Sequence, residues 1–180
     1  MLKSKFINSD GLWDNIGLGI KVALDLGVGK NVIRKTIPKI EFEGRVQYIK
    51  KGRLKRLLKP EEKLLIDGCH STTSAQNLAN YLRTINKPIY GIWGMQSNRD
   101  PKKFIRYFRG VFKKIITLKI PNEPNSEKAD RLKKIAIETG FNVNTAKNTL
   151  EALQCLSNKK EKVIVIFGSL YLAGNALSLN

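Results

Sequence analysis

The stretch KLLIDGCHSTTSAQ, residues 63–76, shows the strand–loop–helix pattern on which the fold of this protein is built. The apolar run 64–66 leads into Asp67 and then His70, which is the only histidine in the chain. A polar cluster and a helical pattern follow, so the stretch predicts a strand, a short loop and a helix. Ligands of open α/β sheets bind at the carboxyl ends of strands. We therefore expect Asp67 and His70 to lie at such an edge.

The same alternation continues to the end of the chain and predicts the fold class. Stretches typical of strands lie at 89–93, 115–120, 141–144 and 163–167, and helical patterns lie at 73–85, 104–111, 127–139 and 145–157. Ser126 is the expected N-cap of the helix at 127–139. Strands that alternate with helices predict an α/β fold with a mostly parallel, Rossmann-like sheet flanked by helices. The strand-end loops should then share one edge: Asp67–His70, Gly94–Asp100, Pro121–Ser126 and Gly168–Ser169.

The amino-terminal segment reads as two short helices. Residues 14–26 carry apolar side chains at helical spacing, with Asp14 as the expected N-cap and Gly27 as the stop, and a second helix is predicted over 29–39. Two helices with an apolar face need a partner, so they form either the tail of a larger unit or a flap on the domain that follows. The string 27–30, GVGK, is not a phosphate loop, because Asn31 replaces the required Ser or Thr and a helix precedes it.

Composition narrows the class of protein. The chain has 180 residues, which suits one domain with its own core plus a short appendage. No apolar run approaches the roughly 20 residues that span a bilayer, and the first residues lack the pattern of a signal peptide. Two cysteines, Cys69 and Cys155, cannot form a disulfide framework or a zinc set. We expect a cytoplasmic protein without membrane contact.

The net charge of +18 comes from 33 basic and 15 acidic residues. It indicates either a polyanionic partner such as nucleic acid or compositional drift towards lysine. The basic residues are spread over nearly every segment, which favours drift, and we do not expect a nucleic-acid partner. A positive surface still favours an anionic substrate, for example a nucleotide.

The chemistry of the residues alone does not decide what the site binds or whether it is functional. The chain has neither a G-x-G-x-x-G nor a G-x-S-x-G motif. His70 can be a general base, a nucleotide contact or a polar loop residue. Asp67 can cap the following helix, and Arg45 can be a solvated surface charge. From the residues alone, the prediction is an α/β domain with an anion-binding tendency at one sheet edge.

Several short motifs, taken in their order along the chain, indicate a protein family. The stretch EGRVQ (43–47), the stretch DGCHST (67–72) and the stretch GSLYLAG (168–174) lie in that order along the chain. Two further stretches belong to the set: Asp14-Asn15-Ile16-Gly17 near the start of the chain, and a loop with Gly94-Met95 followed by Arg99-Asp100. Over roughly residues 12 to 176 the chain resembles the C-terminal ligase domain of folylpolyglutamate synthase/dihydrofolate synthase, within the Mur ligase superfamily. The set as a whole is far more specific than any one of its members.

The resemblance implies an activity and a set of contacts. It implies an ATP-dependent ligase that adds L-glutamate to dihydropteroate or folate through an acyl phosphate, with Asn15, Arg45, Asp67 and His70 as ATP contacts. We also expect Ser169 to contact glutamate. Neither a catalytic residue nor a metal ligand is assigned, because the resemblance places the Mg²⁺ ligands, the phosphate loop and the folate pocket in an N-terminal ATPase domain.

No part of the sequence corresponds to the N-terminal ATPase domain, and the hypotheses about the function of the chain depend on this. Residues 1–42 are interpreted as the helical tail of the missing ATPase domain plus a linker, and 43–180 as the ligase domain. Two departures from the family pattern are Ser71-Thr72 in place of Asn-Pro and Gly11-Leu12 in place of His-Gln. The chain is then expected to be inactive alone and to work with a separately encoded ATPase domain. The alternatives are a degenerate, non-catalytic remnant and a basic nucleic-acid-binding α/β domain.

Overall fold

Strands and helices alternate through the chain as the sequence predicts. The computed structural model describes residues 10–40, 42–158 and 160–180, so the first nine residues of the predicted tail lie outside the described part. The strands are β1 (Gln47–Ile49), β2 (Glu62–Asp67), β3 (Ile89–Trp93), β4 (Phe112–Thr117), β5 (Val143–Thr145) and β6 (Lys162–Phe167). The helices are α1 (Asp10–Asp25), α2 (Lys30–Thr36), α3 (Arg53–Arg56), α4 (Thr72–Arg83), α5 (Pro101–Arg106), α6 (Ala129–Glu138), α7 (Thr149–Leu156) and α8 (Leu170–Ser178).

The strands of the described residues form one six-stranded sheet in the order β1-β2-β6-β3-β4-β5. β2 to β6 run parallel to one another, and β1 pairs antiparallel with β2 at the edge. β6 lies inside the sheet and is buried along its whole length, as its unbroken apolar sequence predicts for a central parallel strand. The predicted α/β class and the mostly parallel sheet are confirmed.

Two hydrophobic cores cover the two faces of the sheet, because side chains alternate along each strand. In β6, Val165 and Phe167 pack in the core that α4, α5 and α6 cover. Ile164 and Ile166 belong to the opposite core, which α3, α7 and α8 cover. The helices therefore cover both faces of the sheet. A ligand can reach the sheet only through the loops at the ends of the strands.

Parallel pairing aligns the strand ends that lead into the expected binding edge. Asp67 at the end of β2 is in register with Phe167 at the end of β6, and Phe167 is in register with Trp93 at the end of β3. The loops that begin at Gly68, Gly94 and Gly168 therefore start at the same level. This confirms that these predicted loops share one edge.

The helices α1 and α2 form a small core of their own, with Leu12, Ile16 and Ile37 buried. Outside this core the segment is unusually apolar on its surface. Among the described residues, seven of the eleven exposed large hydrophobic side chains lie between positions 18 and 42: Leu18, Val22, Leu24, Leu26, Val28, Val32 and Phe42. The predicted apolar face without a partner is thus present.

Two predicted helix starts were wrong. Helix α1 already begins at Asp10, so Asp14 lies inside it rather than at its N-cap. Ser126 does not cap α6, whose N-cap is Lys128. The Ser126 hydroxyl instead accepts a hydrogen bond from Ile120 N at 2.7 Å, and it donates to the Glu127 carbonyl. A serine hydroxyl near a helix start serves whichever backbone group the tertiary fold brings to it.

Candidate functional site

A pocket of about 230 Å³ lies where α1, α4 and the loops before β1 and after β2 meet. Helix α1 contributes Gly11, Leu12 and Asn15, and α4 with its N-cap contributes Ser71, Ser74, Asn77 and Leu78. Arg45, Val46, Asp67 and His70 complete the lining. The four residues predicted as nucleotide contacts, which are up to 55 positions apart in sequence, therefore surround one cavity.

The Asp67 carboxylate holds two loops together. Its Oδ2 accepts a hydrogen bond from Val46 N at 2.9 Å, and its Oδ1 accepts one from Cys69 N at 2.8 Å. The residue is 5% exposed. Burial raises the pKa of Asp67 above its ordinary value, while the two N–H groups and the Arg45 charge oppose that rise. Both carboxylate oxygens thus already serve backbone amides on the floor of the pocket.

His70 is held in a defined orientation. Its Nδ1 lies 3.0 Å from the Gly68 carbonyl oxygen, and a carbonyl can only accept, so Nδ1 carries the proton. In the neutral ring, Nε2 is then an acceptor. The ring can accept a hydrogen bond from a hydroxyl or amino group of a ligand, whereas donation to a phosphate requires the imidazolium form.

The start of α4 forms the wall next to His70. Ser71 and Ser74 make a reciprocal capping box, in which Ser74 N donates to the Ser71 hydroxyl and Ser71 N donates to the Ser74 hydroxyl. The Ser74 hydroxyl also accepts from His70 N at 3.1 Å. The amino terminus of a helix favours an anion by about 0.3–1 kcal/mol. This wall therefore suits a negatively charged ligand.

Arg45 supplies the positive charge of the pocket. The side chain is half-buried, and among the described residues its guanidinium forms no ion pair within 4.0 Å and no hydrogen bond. Its charge acts on the neighbouring Asp67 carboxyl. A guanidinium offers a planar set of donors that matches phosphate oxygens, so Arg45 is free to bind an anion here.

Asn15 lies on the exposed side of α1 and lines two cavities. One is the polar pocket, and the other is an apolar groove of about 450 Å³ between α1 and α2, lined mainly by aliphatic side chains such as Ile20, Val32 and Ile33. The polar pocket and the apolar groove are therefore adjacent. A body that covered the groove would also contact the rim of the pocket.

Ser169, the predicted glutamate contact, does not line this pocket. It is 2% exposed and forms the N-cap of α8, where its hydroxyl accepts a hydrogen bond from Tyr171 N at 3.1 Å. The structure thus brings Asn15, Arg45, Asp67 and His70 together and places Ser169 elsewhere on the same sheet edge.

Sequence reasoning missed Ser74, Asn77 and Val46 as parts of the pocket. The sequence does contain a signal for Ser74, because serines at positions 71 and 74 have the spacing of a capping box. The sequence contains no signal for Asn77, since this residue reaches the pocket only through the packing of α4 against α1. Val46 adopts a φ of +47°, which no pattern in the sequence announces for a β-branched residue.

Two features are absent from the described residues. No helix among them is long and apolar enough to cross a membrane. Within the same part of the chain, no three or more side chains of histidine, cysteine, aspartate and glutamate converge to hold a metal ion. The pocket residues do fit a nucleotide, since Arg45 and the α4 amino terminus suit phosphate groups while His70 can accept from a hydroxyl or amino group.

Comparison with solved structures gives the same fold. Folylpolyglutamate synthase from Mycobacterium tuberculosis, complexed with ADP and AMPPCP, has a TM-score of 0.83 at 19% identity and covers 99% of this chain. FolC from E. coli with DHPP and ADP has a TM-score of 0.69 at 17% identity and covers 84%. The bifunctional folylpolyglutamate synthase/dihydrofolate synthase with Mn, AMPPNP and L-glutamate bound has 0.67 at 16% and covers 83%.

The chain spans 41% of the Mycobacterium tuberculosis chain and 34% of each of the other two. At these identities the similarity shows the fold alone. No curated protein matches the chain significantly. A family model described as the C-terminal domain of dihydrofolate synthetase matches residues 49–179, which is most of the chain. The chain therefore belongs to the family of dihydrofolate synthetase C-terminal domains.

Proposed function

We propose that this chain is the C-terminal part of an ATP-dependent ligase that adds L-glutamate to dihydropteroate or folate. The observation that carries the proposal is the convergence of Asn15, Arg45, Asp67 and His70 on one pocket. Motif resemblance implies that these residues contact ATP, and they come from three separate segments of the chain. Their meeting around a cavity with an anion-binding wall supports ATP as the ligand.

In the proposed complex, Arg45 and the amino terminus of α4 bind phosphate oxygens, and His70 accepts a hydrogen bond from a ribose or adenine group. In the reaction that the family implies, the γ-phosphoryl group of ATP passes to a folate carboxylate and releases ADP. The glutamate amine then attacks the acyl phosphate, and inorganic phosphate leaves as the amide bond forms. Mg²⁺ would be held outside this chain's pocket residues.

The pocket is half of a site in this proposal. Its volume of about 230 Å³ is below the range of roughly 300–1,000 Å³ that is usual for ligand pockets. Phosphoryl transfer also needs a phosphate loop and a metal ion. A surface that closes the pocket from the outside must therefore supply them, and the chain alone should not turn over substrate.

The adjacent apolar groove indicates where that surface lies. Exposed apolar patches of this kind mark interaction sites, and the groove meets the polar pocket at Asn15. We infer that an ATPase domain, supplied as a separate polypeptide, covers α1 and α2. It would bring the phosphate loop to the pocket from the side where Asn15 lies.

Two alternatives make different predictions. A degenerate remnant, which Ser71-Thr72 and Gly11-Leu12 favour by departing from the family pattern, binds nucleotide without turnover. The hypothesis of a nucleic-acid-binding domain is supported only by the net charge of +18. The affinity of such a domain for nucleic acid would fall steeply with salt. An intact polar pocket supports the ligase over a nucleic-acid-binding domain, and turnover distinguishes the ligase from the remnant.

The experiment is reconstitution of activity. The chain is mixed with a phosphate-loop ATPase domain from the same genome, together with Mg²⁺, ATP and dihydropteroate, and ADP release is followed with and without L-glutamate. The proposal expects glutamate-dependent ADP release from the pair and none from either protein alone. ADP binding without any turnover would favour the remnant, and binding of DNA but not ADP would favour the third hypothesis.

A further inference from the structure

We propose that a second pocket, at the opposite end of strands β1 and β2 from the polar pocket, binds a small oligophosphate. This second pocket, called the lysine pocket below, has a volume of about 430 Å³. That volume lies within the range of roughly 300–1,000 Å³ that is usual for ligand pockets. The proposal does not depend on the nucleotide function of the polar pocket. The lining residues are Tyr48, Ile49, Lys50, Lys55, Pro60, Glu62 and Lys63.

The length of the paired strands separates the two pockets, because β1 runs antiparallel to β2. The polar pocket uses Arg45, which precedes β1, and Asp67, at the end of β2. The lysine pocket uses Lys50, which follows β1, and Lys63, near the start of β2. The two pockets share no lining residue. A ligand of the lysine pocket therefore binds away from the edge where the strand-end loops lie.

The lysine pocket holds three ammonium groups without a counter-charge. Among the described residues, none of Lys50, Lys55 and Lys63 forms an ion pair within 4.0 Å. Glu62 is the only acidic residue in the described lining, and it is fully buried. Its carboxylate is already engaged inside the protein, where it accepts hydrogen bonds from the Ser157 hydroxyl, Asn158 N and Lys59 N. The positive charge of the pocket is therefore available to an anion.

Two of the lysines follow the end of the β1–β2 pairing. Ile49 is in register with Leu64, and the next residues in that register are Lys50 and Lys63. Like charges opposite each other in an antiparallel pair are destabilising, so an anion between these two lysines would relieve their repulsion.

The one carboxylate outside the lining on which Lys63 is seen to act does not fill this role. The pKa of Glu161 is lowered mainly by its hydrogen bond to Lys87, and the Lys63 charge adds only a small contribution. Glu161 forms its ion pair with Lys87. Lys63 therefore stays available to a ligand.

Lys55 is held in position before any ligand binds. Its Nζ donates to the Glu62 carbonyl at 2.6 Å and to the Lys59 carbonyl at 3.2 Å. An ammonium group has three donors, so one N–H remains for a ligand. A group that is already ordered loses less conformational freedom on binding.

The charge and the shape of the pocket together select the ligand. Three neighbouring ammonium groups need an anion that carries several charges close together, and lysines bind phosphate oxygens as point charges. Tyr48 and Pro60 give the pocket an apolar wall, and its concave form suits a compact anion. A short chain of phosphate groups meets both conditions.

The test is binding of inorganic tripolyphosphate, measured by titration calorimetry without divalent cations at near-physiological salt. Arg45→Ala is the common background, because it removes the guanidinium of the polar pocket. The double substitution Lys50→Gln and Lys63→Gln should weaken binding about tenfold, since two of the three ammonium groups are lost. The matched control is Lys113→Gln with Lys134→Gln, which removes the same charge from exposed lysines outside both pockets and should keep the affinity.

Resonance shifts in the wild-type chain make the test independent of every variant. Tripolyphosphate should shift the backbone amide resonances of Tyr48, Lys50 and Lys63, whether or not ADP binds to the polar pocket. Shifts spread evenly over all basic segments would show only general attraction to a protein of charge +18 and would overturn the proposal.

Three further results would also overturn it. The absence of saturable binding, or equal affinities of the two double variants, would show that these lysines only keep the edge strand from pairing with another chain. Tighter binding of RNA than of tripolyphosphate, lost in the variant of Lys50 and Lys63, would assign the pocket to nucleic acid. Failure of ADP to bind the polar pocket would overturn the proposed function alone.

Discussion

Gly11 of α1 lies so close to Asn77 of α4 that a β-carbon at position 11 would come within 2.4 Å of Asn77 Nδ2. Both residues line the pocket. A side chain at position 11 would therefore require the Asn77 amide to turn away or α1 to move. Gly17 and Gly19 of the same helix have open space around them, so this requirement belongs to Gly11 alone among these three glycines.

Replacing Gly11 with Ala should weaken ADP binding several-fold, because the Asn77 amide must turn away or α1 must move outward from the pocket. Gly17→Ala is the matched control, since its methyl group meets nothing and alanine stabilises a helix by about 0.5–1 kcal/mol relative to glycine. Titration calorimetry with ADP measures both variants. Equal affinities for Gly11→Ala and Gly17→Ala would show that α1 does not shape the site.

Glu62→Gln should destabilise the fold by about 3 kcal/mol, because it leaves Lys162 as a buried charge without its partner. Glu62 and Lys162 are almost completely buried at the edge of the sheet opposite the pocket, with Nζ 3.7 Å from Oε1. Glu161→Gln is the control, since Glu161 pairs with Lys87 at the surface and its loss should leave the free energy of unfolding nearly unchanged. Urea unfolding compares the three proteins. ADP affinity should not change in either variant.

The effect of Glu62→Gln should depend on pH in a defined direction. Burial raises the pKa of Glu62, but hydrogen bonds from Ser157, Asn158 and Lys59 together with the Lys162 charge outweigh it, so the pKa lies below its ordinary value of 4.5. A lowered carboxyl pKa stabilises the fold above 4.5, and this stabilisation is lost as the pH falls through the folded-state pKa. The difference between wild type and variant should therefore be full at neutral pH and shrink in acid. A difference that grows in acid would show that the pKa is raised instead.

Val32→Asp should abolish association with the ATPase domain, because it places a charge in the apolar groove where the side chain is 58% exposed. Ile137→Asp is the control, since Ile137 is similarly exposed, at 53%, on α6 and outside the groove. Analytical ultracentrifugation of the mixed proteins measures the complex. Equal loss in both variants, or in neither, would argue against α1 and α2 as the docking surface.

Ser169→Ala should cost about 1 kcal/mol of stability, as for loss of a helix N-cap, and leave ADP affinity unchanged. If Ser169 also contacts glutamate, as motif resemblance predicts, the variant should raise the KM for glutamate in the reconstituted ligase while the KM for ATP stays constant. An unchanged KM for glutamate would leave the hydroxyl with its capping role only.

The fold could be predicted because its signals are local. The apolar run 163–167 and the strand–loop–helix order at 64–85 specify their elements without help from distant residues. The pocket could be predicted in part, since parallel strands bring Asp67 and His70 to a known edge and the family motif adds Arg45 and Asn15. Each of these four residues has a non-functional interpretation when taken alone, and the ordered set of motifs identifies them together.

The remaining features depend on contacts that sequence patterns do not encode. Asn77 lies against Gly11 of α1 in the pocket, a contact between distant segments that no pattern announces. The Ser126 hydroxyl is taken by Ile120 N, so it never caps α6. The Asp67 carboxylate also accepts N–H bonds from Val46 and Cys69, a structural role that the motif does not announce. Side-chain identity predicted which residues matter here, and tertiary hydrogen bonds decided what each one does.

The most direct test of the nucleotide site is ADP binding to the purified chain at near-physiological salt, compared between wild type and Arg45→Ala, with Arg53→Ala as a control for general positive charge. Arg53 is exposed on α3 and does not line the pocket. We predict weak, saturable binding that Arg45→Ala reduces by about tenfold or more and Arg53→Ala leaves intact. No saturable binding to the wild type, or equal binding by the Arg45→Ala variant, would contradict the assignment of this pocket to a nucleotide.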